Sequence, residues 1–344
     1  MYNLKQVTFN EILQYMKKII FTLLLGSSIG VFGQNIPLHK IQVIGSHNSY
    51  KKAIDRKLYE YLLQEDENVS TLYYEHPAIE TQLDLGLRNL EIDIWKDAEG
   101  NKYANPSGAE IAGKPFEWTK EMAEPGFKVF HMPDIDYQTH QPSFVKQLQA
   151  LKAWSEQNPD HETIFITLEL KDDKKDPSSK YHFEDIQEIN RIIARELTDK
   201  HLITPRELKR TKNFVQWPTI DASCGKFVWI IDNTDYRLKL FDKIALEESS
   251  VFLNVPFEHP KSGCMIINNP YDDNIPEYAD KGVIIRTRAD DSTKQARNND
   301  YTTFEQAKKS KAQIITTDYY VPSKLFPSTY KVIFDDNSYV RILP

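Results

Sequence analysis

The stretch "VIGSHNSYKK", residues 43–52, raises the question of the fold because an apolar run ends abruptly in polar residues. Val43 and Ile44 lead through a glycine and a serine to His47 and Asn48, which stand side by side. An ordinary surface loop is one interpretation of this pattern. The other is a catalytic imidazole beside a neutral oxygen ligand, at the point where a strand ends. The rest of the chain has to decide between the two.

Apolar runs of strand length recur along the chain, separated by helix-like or irregular segments. The runs are Ile41–Ile44, Asn89–Ile94, Lys128–Phe130, Ile164–Leu170, Phe227–Ile231, Met265–Ile267, Val283–Arg286 and Gln313–Thr316. Eight such runs joined by crossovers predict an α/β fold, a (β/α)8 TIM-type barrel with a single catalytic domain. An open doubly wound sheet is the alternative, but no glycine-rich nucleotide loop follows any run.

Helical patterns lie between several of these runs. Residues 142–157 carry apolar side chains at helical spacing, with a proline near the first turn and Asn158-Pro159 as the stop. Ile186, Ile189, Ile193 and Leu197 form a second apolar stripe, and residues 304–311 form a shorter helical candidate. These crossovers agree with a barrel, in which the chemistry gathers at the C-terminal ends of the strands.

Composition narrows the class of protein. The chain has 344 residues, of which 40% are hydrophobic and 27% charged, and this is ordinary for a soluble globular protein with a large core. The formal net charge of -7 provides no basic field for nucleic acid. An anionic substrate would therefore need a local cationic pocket.

The N-terminal residues resemble a targeting signal. Lys17-Lys18 precede an apolar run from Ile19 to Phe32, which is shorter than the roughly 20 residues of a membrane span. We predict a signal peptide over residues 1–33, with Met16 as an alternative start, and a mature chain over 34–344 that is secreted or periplasmic. A buried N-terminal helix is the other interpretation. Cys224 and Cys264 could pair in an oxidising compartment or remain free thiols.

Two of the predicted strands carry acidic residues on one face. In "RNLEIDIW", residues 88–95, Glu91 and Asp93 share a side and lie about 7 Å apart along a strand. In "TIFITLELKDD", residues 163–173, Glu169 and Lys171 share a side at the end of a long apolar run. A solvated edge or an internal ion pair would explain each pattern alone. Buried acids are otherwise expensive unless they are paired or bound to a cation.

Three further runs end in polar or aromatic residues. "FKVFHMPDID" leads to His131, "VIIRTRADD" contains Arg288, and "IITTDYY" contains Tyr319. Taken singly, each pattern is also typical of packing, loop or rim residues. Taken together, the polar ends of successive strands converge on one mouth in a barrel. Three carboxylates with the Asn48 oxygen suit a hard divalent ion such as calcium, whereas two histidines suit phosphoryl chemistry.

The ordered set "GSHNSY", "LRNLEIDIW", "FHMPDID", "TLELK", "IIRTRAD" and "IITTDYY" resembles the calcium-dependent phosphoinositide-specific phospholipase C family of bacteria. The likeness runs from about residue 41 nearly to the C-terminus. It implies a (β/α)8 barrel, a Ca²⁺ cofactor, and cleavage of phosphatidylinositol to diacylglycerol and an inositol phosphate by way of an inositol cyclic phosphate. Such a substrate implies transient contact with a membrane surface, for which Tyr73 and Tyr74 of "LYYEHP", residues 72–77, and Trp118 are candidates. We further expect a monomer.

The resemblance also assigns roles to residues. His47 and His131 match the two catalytic histidines, and Glu91 is a candidate for accepting the proton of the inositol 2-hydroxyl. The calcium ligands that it implies are Asn48, Glu91, Asp93 and Glu169. The residues placed where substrate contacts would be useful are Lys171, Arg288 and Tyr319.

Other functions remain open at this point. A glycerophosphodiester phosphodiesterase would share the barrel, although its first strand usually ends in His-Arg and this one ends in His47-Asn48. A phosphodiesterase acting on another inositol-containing substrate is a second alternative. A noncatalytic calcium-containing protein that binds lipid or carbohydrate leaves both histidines unexplained. A glycoside hydrolase using Glu91 and Glu169 leaves the histidines and arginines without a role.

Overall fold

The computed structural model describes residues 35–343 of the chain. The strands in this range are β1 (Ile41–Ser46), β2 (Asn89–Asp97), β3 (Gly126–Val129), β4 (Ile164–Lys171), β5 (Lys209–Arg210), β6 (Val215–Gln216), β7 (Phe227–Ile231), β8 (Phe252–Leu253), β9 (Cys264–Ile266), β10 (Ile284–Arg288), β11 (Ile314–Thr317) and β12 (Val340–Ile342). The helices are α1 (Arg56–Glu65), α2 (Ile79–Leu85), α3 (Gly108–Ala112), α4 (Thr119–Ala123), α5 (Phe144–Gln157), α6 (Phe183–Leu197), α7 (Tyr236–Phe241), α8 (Asn274–Asp280), α9 (Lys294–Asn298) and α10 (Thr302–Lys309).

Eight parallel strands form a nearly closed barrel. Their order around the sheet is β8-β7-β4-β2-β1-β11-β10-β9, which is the order of the chain once β1 and β11 are joined. The two ends of this path meet through a parallel bridge between Asn254 and Cys264, directly after β8 and at the start of β9. The predicted (β/α)8 architecture is therefore confirmed, and the C-terminal ends of all eight strands face one mouth.

The acidic strand β2 shows why the sequence folds in this register. Leu90, Ile92 and Ile94 are fully buried in the core cluster that contains the apolar faces of α5 and α6. Burying each such side chain contributes about 1.5–3 kcal/mol. Since successive side chains point to opposite faces, this packing turns Glu91 and Asp93 towards the barrel interior.

The two long crossover helices follow their predicted stripes. Helix α5 begins after Ser143, whose hydroxyl oxygen accepts a hydrogen bond from the Lys146 amide at 3.4 Å. Helix α6 buries all four residues of the predicted stripe from Ile186 to Leu197. The third candidate, predicted over residues 304–311, is observed as α10 two residues earlier.

One predicted barrel strand was wrong, and one barrel strand was missed. The run Lys128–Phe130 is not a barrel strand, because β3 pairs antiparallel with β2, with Val129 opposite Ile94. The missing barrel strand is β8, whose two residues, Phe252 and Leu253, are too few to show a periodic pattern. The strand count in the sequence was therefore right, although one of its members belonged to an added hairpin.

Cys224 and Cys264 are both free thiols, and burial raises the pKa of Cys264 well above its ordinary value. The predicted signal peptide over residues 1–33 lies outside the described residues. Within residues 35–343, no helix combines the length and the apolar character needed to cross a bilayer.

Candidate active site

Three carboxylates from two neighbouring strands converge at the mouth of the barrel. Asp93 of β2 lies directly opposite Glu169 of β4 in the parallel register, and Glu91 precedes Asp93 by one interior position. One oxygen atom from each of the three carboxylates lies within 4.8 Å of the others. The structure therefore brings together the three acids that were predicted to hold a metal ion.

The buried carboxylates of this cluster favour the binding of a cation. Burial raises the pKa of Glu91 to about 7, against the opposing effect of Arg286. Burial likewise raises the pKa of Asp93 well above its ordinary value, although Lys171 lies 3.4 Å from one of its oxygens. Both carboxylate oxygens of Asp93 are buried without a hydrogen-bond partner. Unsatisfied carboxylate oxygens at this spacing fit a hard cation with oxygen ligands, such as Ca²⁺.

The side chain of Asn48 is oriented by two tyrosines. Its backbone is left-handed, with φ of 48°, a conformation that asparagine tolerates better than most residues. Its amide nitrogen donates to the Tyr74 hydroxyl at 2.7 Å, and its amide oxygen accepts from the Tyr50 hydroxyl at 3.1 Å. Tyr50 also interacts with Asp93, and this places Asn48 next to the acid cluster.

His47 links the acid cluster to a further carboxylate. Its Nε2 atom lies 3.7 Å from Glu91 Oε1, and its Nδ1 atom lies 3.0 Å from Asp318 Oδ1. Burial, together with the nearby guanidinium groups of Arg288 and Arg286, lowers the pKa of His47 well below its ordinary value. A carboxylate on one ring nitrogen fixes the tautomer and leaves the other nitrogen to act. Asp318 lies in the motif "IITTDYY", but nothing in that motif predicted its contact with His47.

His131 reaches the mouth by a different route. It follows β3, which begins opposite the C-terminal end of β2 and runs back antiparallel to it, so that His131 comes two residues after the pair formed by Val129 and Ile94. The Trp95 indole nitrogen donates to the His131 carbonyl oxygen at 3.2 Å, and His131 Nδ1 lies 2.8 Å from Asp136 Oδ2. Each predicted catalytic histidine is therefore paired with its own carboxylate through Nδ1.

A cavity of about 390 Å³ opens at the mouth beside these groups. Four residues of the predicted site line it: His47, Glu91, Glu169 and Arg288. The lining residues that sequence reasoning did not select are Asp232, Asn233, Thr234, Asp235, Arg237, Asn268 and Arg286. Most of them lie in loops after β7 and β9, where single polar residues carry no periodic signal.

Two of the predicted substrate contacts, Lys171 and Tyr319, do not line the mouth cavity. Lys171 lies 3.2 Å from Glu169 and 3.4 Å from Asp93, so its ammonium neutralises part of the acid cluster. Burial alone would lower the pKa of Lys171, but these two carboxylates raise it above the ordinary value. Tyr319 is only 2% exposed and packs edge-on against Phe326 and Tyr330, away from the mouth cavity. The structure does not bring Tyr319 together with the other candidates.

Fold and site together define a class of protein, a (β/α)8-barrel phosphodiesterase that uses a divalent metal ion. The family model described as "Phosphoinositide phospholipase C, Ca2+-dependent" matches residues 36–344. The chain therefore belongs to the Ca²⁺-dependent phosphoinositide phospholipase C family. It is an enzyme, and calcium is the cofactor of its family.

Solved structures show the same fold. A calcium-dependent phosphoinositol-specific phospholipase C from Pseudomonas sp, in its apo form, superposes with a TM-score of 0.54 at 16% identity, covering 91% of this chain and 98% of that one. A Ca²⁺-dependent phosphatidylinositol-specific phospholipase C from Streptomyces antibioticus gives a TM-score of 0.50 at 15% identity, covering 86% and 99%. No curated protein sequence matches the chain.

Proposed function

We propose that this protein cleaves phosphatidylinositol to diacylglycerol and an inositol phosphate by way of an inositol cyclic phosphate. The observation that carries the proposal is the convergence of three carboxylates and two histidine–carboxylate pairs at one mouth. The family match supports the same chemistry. Two imidazoles are well suited to moving protons to and from phosphate ester oxygens.

We assign the metal ligands to Asn48, Glu91, Asp93 and Glu169. The unpartnered oxygens of Asp93 and the mutual proximity of the three acids support this assignment. When bound there, calcium supplies positive charge that offsets the charge developing on phosphate oxygens and makes a coordinated hydroxyl more acidic. Arg286 is ion-paired with Glu91 and holds this carboxylate in place.

The protein groups then divide the proton transfers. As the inositol 2-hydroxyl attacks phosphorus, Glu91 accepts its proton. His47, held by Asp318 through Nδ1, donates a hydrogen bond from Nε2 to a phosphate oxygen in its protonated form, which the nearby anionic phosphate favours over the neutral imidazole. His131, held by Asp136, gives a proton to the diacylglycerol oxygen as its bond to phosphorus breaks. In the second step the roles reverse: His131 takes a proton from the water that attacks phosphorus, and Glu91 returns its proton to the inositol 2-oxygen as the bond from that oxygen to phosphorus breaks.

Cationic side chains around the cavity provide the contacts to the anionic substrate. Arg288 lies on the cavity wall and is our proposed phosphate contact. Lys171 remains a proposed contact, because its side chain is partly exposed and its ammonium lies 3.2 Å from Glu169, which lines the same cavity. A guanidinium group suits phosphate because it can donate two parallel hydrogen bonds.

We further propose that the protein is exported, acts as a monomer and contacts membranes transiently. The lysine pair followed by the apolar run over residues 19–32 supports export, and a lipid substrate supports the membrane contact. Of the tyrosines in "LYYEHP", Tyr74 is buried against Asn48, and Tyr73 stacks on Tyr59 at 3.8 Å. Both tyrosines therefore have structural partners and are not part of the proposed lipid contact.

Release of inositol phosphates from phosphatidylinositol vesicles tests this function, with calcium and then with a chelator, for the native protein and for His47→Ala. We expect calcium-dependent release of the cyclic product and then of the open-chain product, both lost in the variant. Hydrolysis of glycerophosphodiesters is measured in parallel. Activity on those esters without release from inositol lipids would refute the proposed substrate and leave the metal-dependent phosphodiesterase.

A further inference from the structure

A fully buried lysine lies beneath the two histidines and has no part in the mechanism described above. Lys51 has no exposed surface, and its ammonium nitrogen lies 2.8 Å from Asp136 Oδ1, which is equally buried. Lysine is almost never fully buried unless it is paired. A buried ammonium is costly, so its presence at this position calls for a specific role.

Lys51 joins the segment after His47 to the segment after His131. Its backbone amide donates to the Asn48 carbonyl at 3.0 Å. The next amide, that of Lys52, donates to the Gln138 carbonyl at 3.2 Å, and the His140 amide donates to the Tyr50 carbonyl at 3.0 Å. The two loops are thus held together by backbone hydrogen bonds on both sides of Lys51.

The ammonium contacts groups that belong to both histidines. Asp136 uses Oδ1 for Lys51 and Oδ2 for His131 Nδ1, at 2.8 Å each. On the other side, the ammonium lies 4.7 Å above the Tyr74 ring, whose hydroxyl lies 3.3 Å from His47 Nδ1. Burial opposes ionisation of Asp136, yet Lys51 and the hydrogen bond with His131 lower the pKa of Asp136 below its ordinary value.

We propose that Lys51 is a positioning residue for the reaction: it anchors the charged Asp136 carboxylate, which holds His131 with Nδ1 protonated and Nε2 turned to the departing oxygen. This inference rests on the proposed function, in which His131 protonates the leaving group. Lys51 itself touches no substrate. It acts through Asp136, and its loss should affect the step that needs a well-placed acid.

Leaving-group dependence separates this role from a merely structural one. Phosphatidylinositol loses a poorly stabilised alkoxide and needs an acid, whereas p-nitrophenyl inositol phosphate loses a stable phenolate and does not. For Lys51→Met we expect kcat on phosphatidylinositol to fall about 100-fold. On the aryl substrate, kcat should stay within about fivefold of wild type, since that substrate needs no acid. Lys52→Met is the matched control, because the Lys52 side chain is partly exposed and pairs with Glu117 at the surface.

A double variant keeps the proposal testable if Lys51→Met does not fold. Lys51→Met leaves the buried Asp136 charge without its cation, whereas Lys51→Met combined with Asp136→Asn removes both charges. If Lys51 acts through Asp136, then the double variant and Asp136→Asn alone show the same selective loss on phosphatidylinositol. Additive losses, equal losses on both substrates, or unchanged kinetics would each refute the positioning role.

A second measurement does not depend on turnover. Nitrogen-15 NMR of the imidazoles at alkaline pH reports which ring nitrogen of His131 carries the proton. We expect the Nδ1–H tautomer in the wild type and a mixture in Lys51→Met. An unchanged His131 tautomer in the variant would overturn the proposal. A wild type that turns over neither substrate would instead overturn the proposed function, while the NMR result would still test the effect of Lys51 on His131.

Discussion

At the scale of single residues, each histidine of the site has one ring nitrogen paired with a carboxylate. His47 and His131 each present Nδ1 to a buried carboxylate, Asp318 and Asp136 respectively. A carboxylate in this position holds the ring orientation and stabilises the charge that forms when Nε2 takes a proton. We therefore expect both carboxylates to affect the rate through the histidines that they hold.

Asp318→Asn should lower kcat on phosphatidylinositol by about 100-fold, because His47 loses the carboxylate that fixes its tautomer and stabilises its charged form. Steady-state kinetics with saturating calcium measures the effect. Asp335→Asn serves as the control, since Asp335 is an exposed carboxylate that pairs with Lys308. An Asp318→Asn enzyme with wild-type kcat would show that His47 does not depend on this partner.

His39 provides a prediction about stability at low pH. It is 3% exposed, its Nδ1 atom has no hydrogen-bond partner, and burial followed by the charge of Lys40 lowers its pKa to about 4. Between pH 6.5 and 4 the unfolded chain binds a proton at this histidine and the folded protein does not. The stability that His39 contributes is therefore complete above pH 6.5 and is lost as the pH falls towards 4.

His39→Phe should retain the edge-on packing on Phe214, where the ring centroids are 5.4 Å apart, and should remove the proton linkage. On going from pH 7 to pH 5 we expect the variant to lose about 2 kcal/mol less unfolding free energy than the wild type. Urea unfolding at the two pH values measures this difference. Carboxyl groups with raised pKa, such as Asp290, are common to both proteins and cancel in the comparison. Equal losses in the two proteins would contradict the prediction.

At the scale of elements, the close approach of β1 to β2 places the first histidine. Gly45 of β1 pairs with Asn89, the first residue of β2, and His47 follows two residues later. A Cβ atom at Gly45 would lie 2.5 Å from the Asn89 carbonyl oxygen and would overlap the Asn89 side chain. Only glycine therefore allows these two strands to approach so closely at this point.

Gly45→Ala should push β1 away from β2 and lower the free energy of unfolding by about 2 kcal/mol, a typical cost of overpacking. Because His47 and Asn48 lie just beyond this contact, we expect kcat to fall as well. Thermal unfolding and steady-state kinetics on the same preparation measure both effects. A variant with an unchanged melting temperature would show that the strands separate here without cost.

At the scale of the whole molecule, the barrel gathers carboxylates at one mouth, beside the guanidinium groups of Arg286 and Arg288. Glu91, Asp93 and Glu169 lie together there, with Asp232 lining the same cavity. Burial raises the pKa of Glu91, Asp93 and Asp232, so the folded protein carries an electrostatic cost at neutral pH. A ligand that neutralises this charge binds the folded state and stabilises it by mass action.

Calcium at 100 times its dissociation constant should stabilise the protein by about 2.7 kcal/mol. This corresponds to a melting temperature roughly 5 °C higher than in chelator. Differential scanning calorimetry measures the shift, and Asp93→Asn should lose most of it because the charged carboxylate, with two oxygens that accept no hydrogen bond, is replaced by a neutral amide with one oxygen. A wild-type melting temperature that does not respond to calcium would refute the assignment of the metal site to these acids.

Much of the barrel and part of the site could be predicted from the sequence. Alternation in β2 placed Glu91 and Asp93 on the interior face, because the pleat of a strand turns every second side chain the same way. The apolar stripe of α6 was predicted equally well, since an amphipathic helix buries one face. Regular elements have periods, and a period can be read from a single chain.

The remaining features needed the tertiary structure. The pairing of His47 with Asp318 joins residues 271 positions apart, and no local pattern records such a contact. The antiparallel course of β3, the burial of Tyr319 and the buried Lys51–Asp136 pair are likewise decided by which segments pack together. The sequence by itself determined which residues face the barrel interior, because that depends on local periodicity. Only the tertiary structure decided which of them form ion pairs or share a proton, because those interactions depend on distance in space.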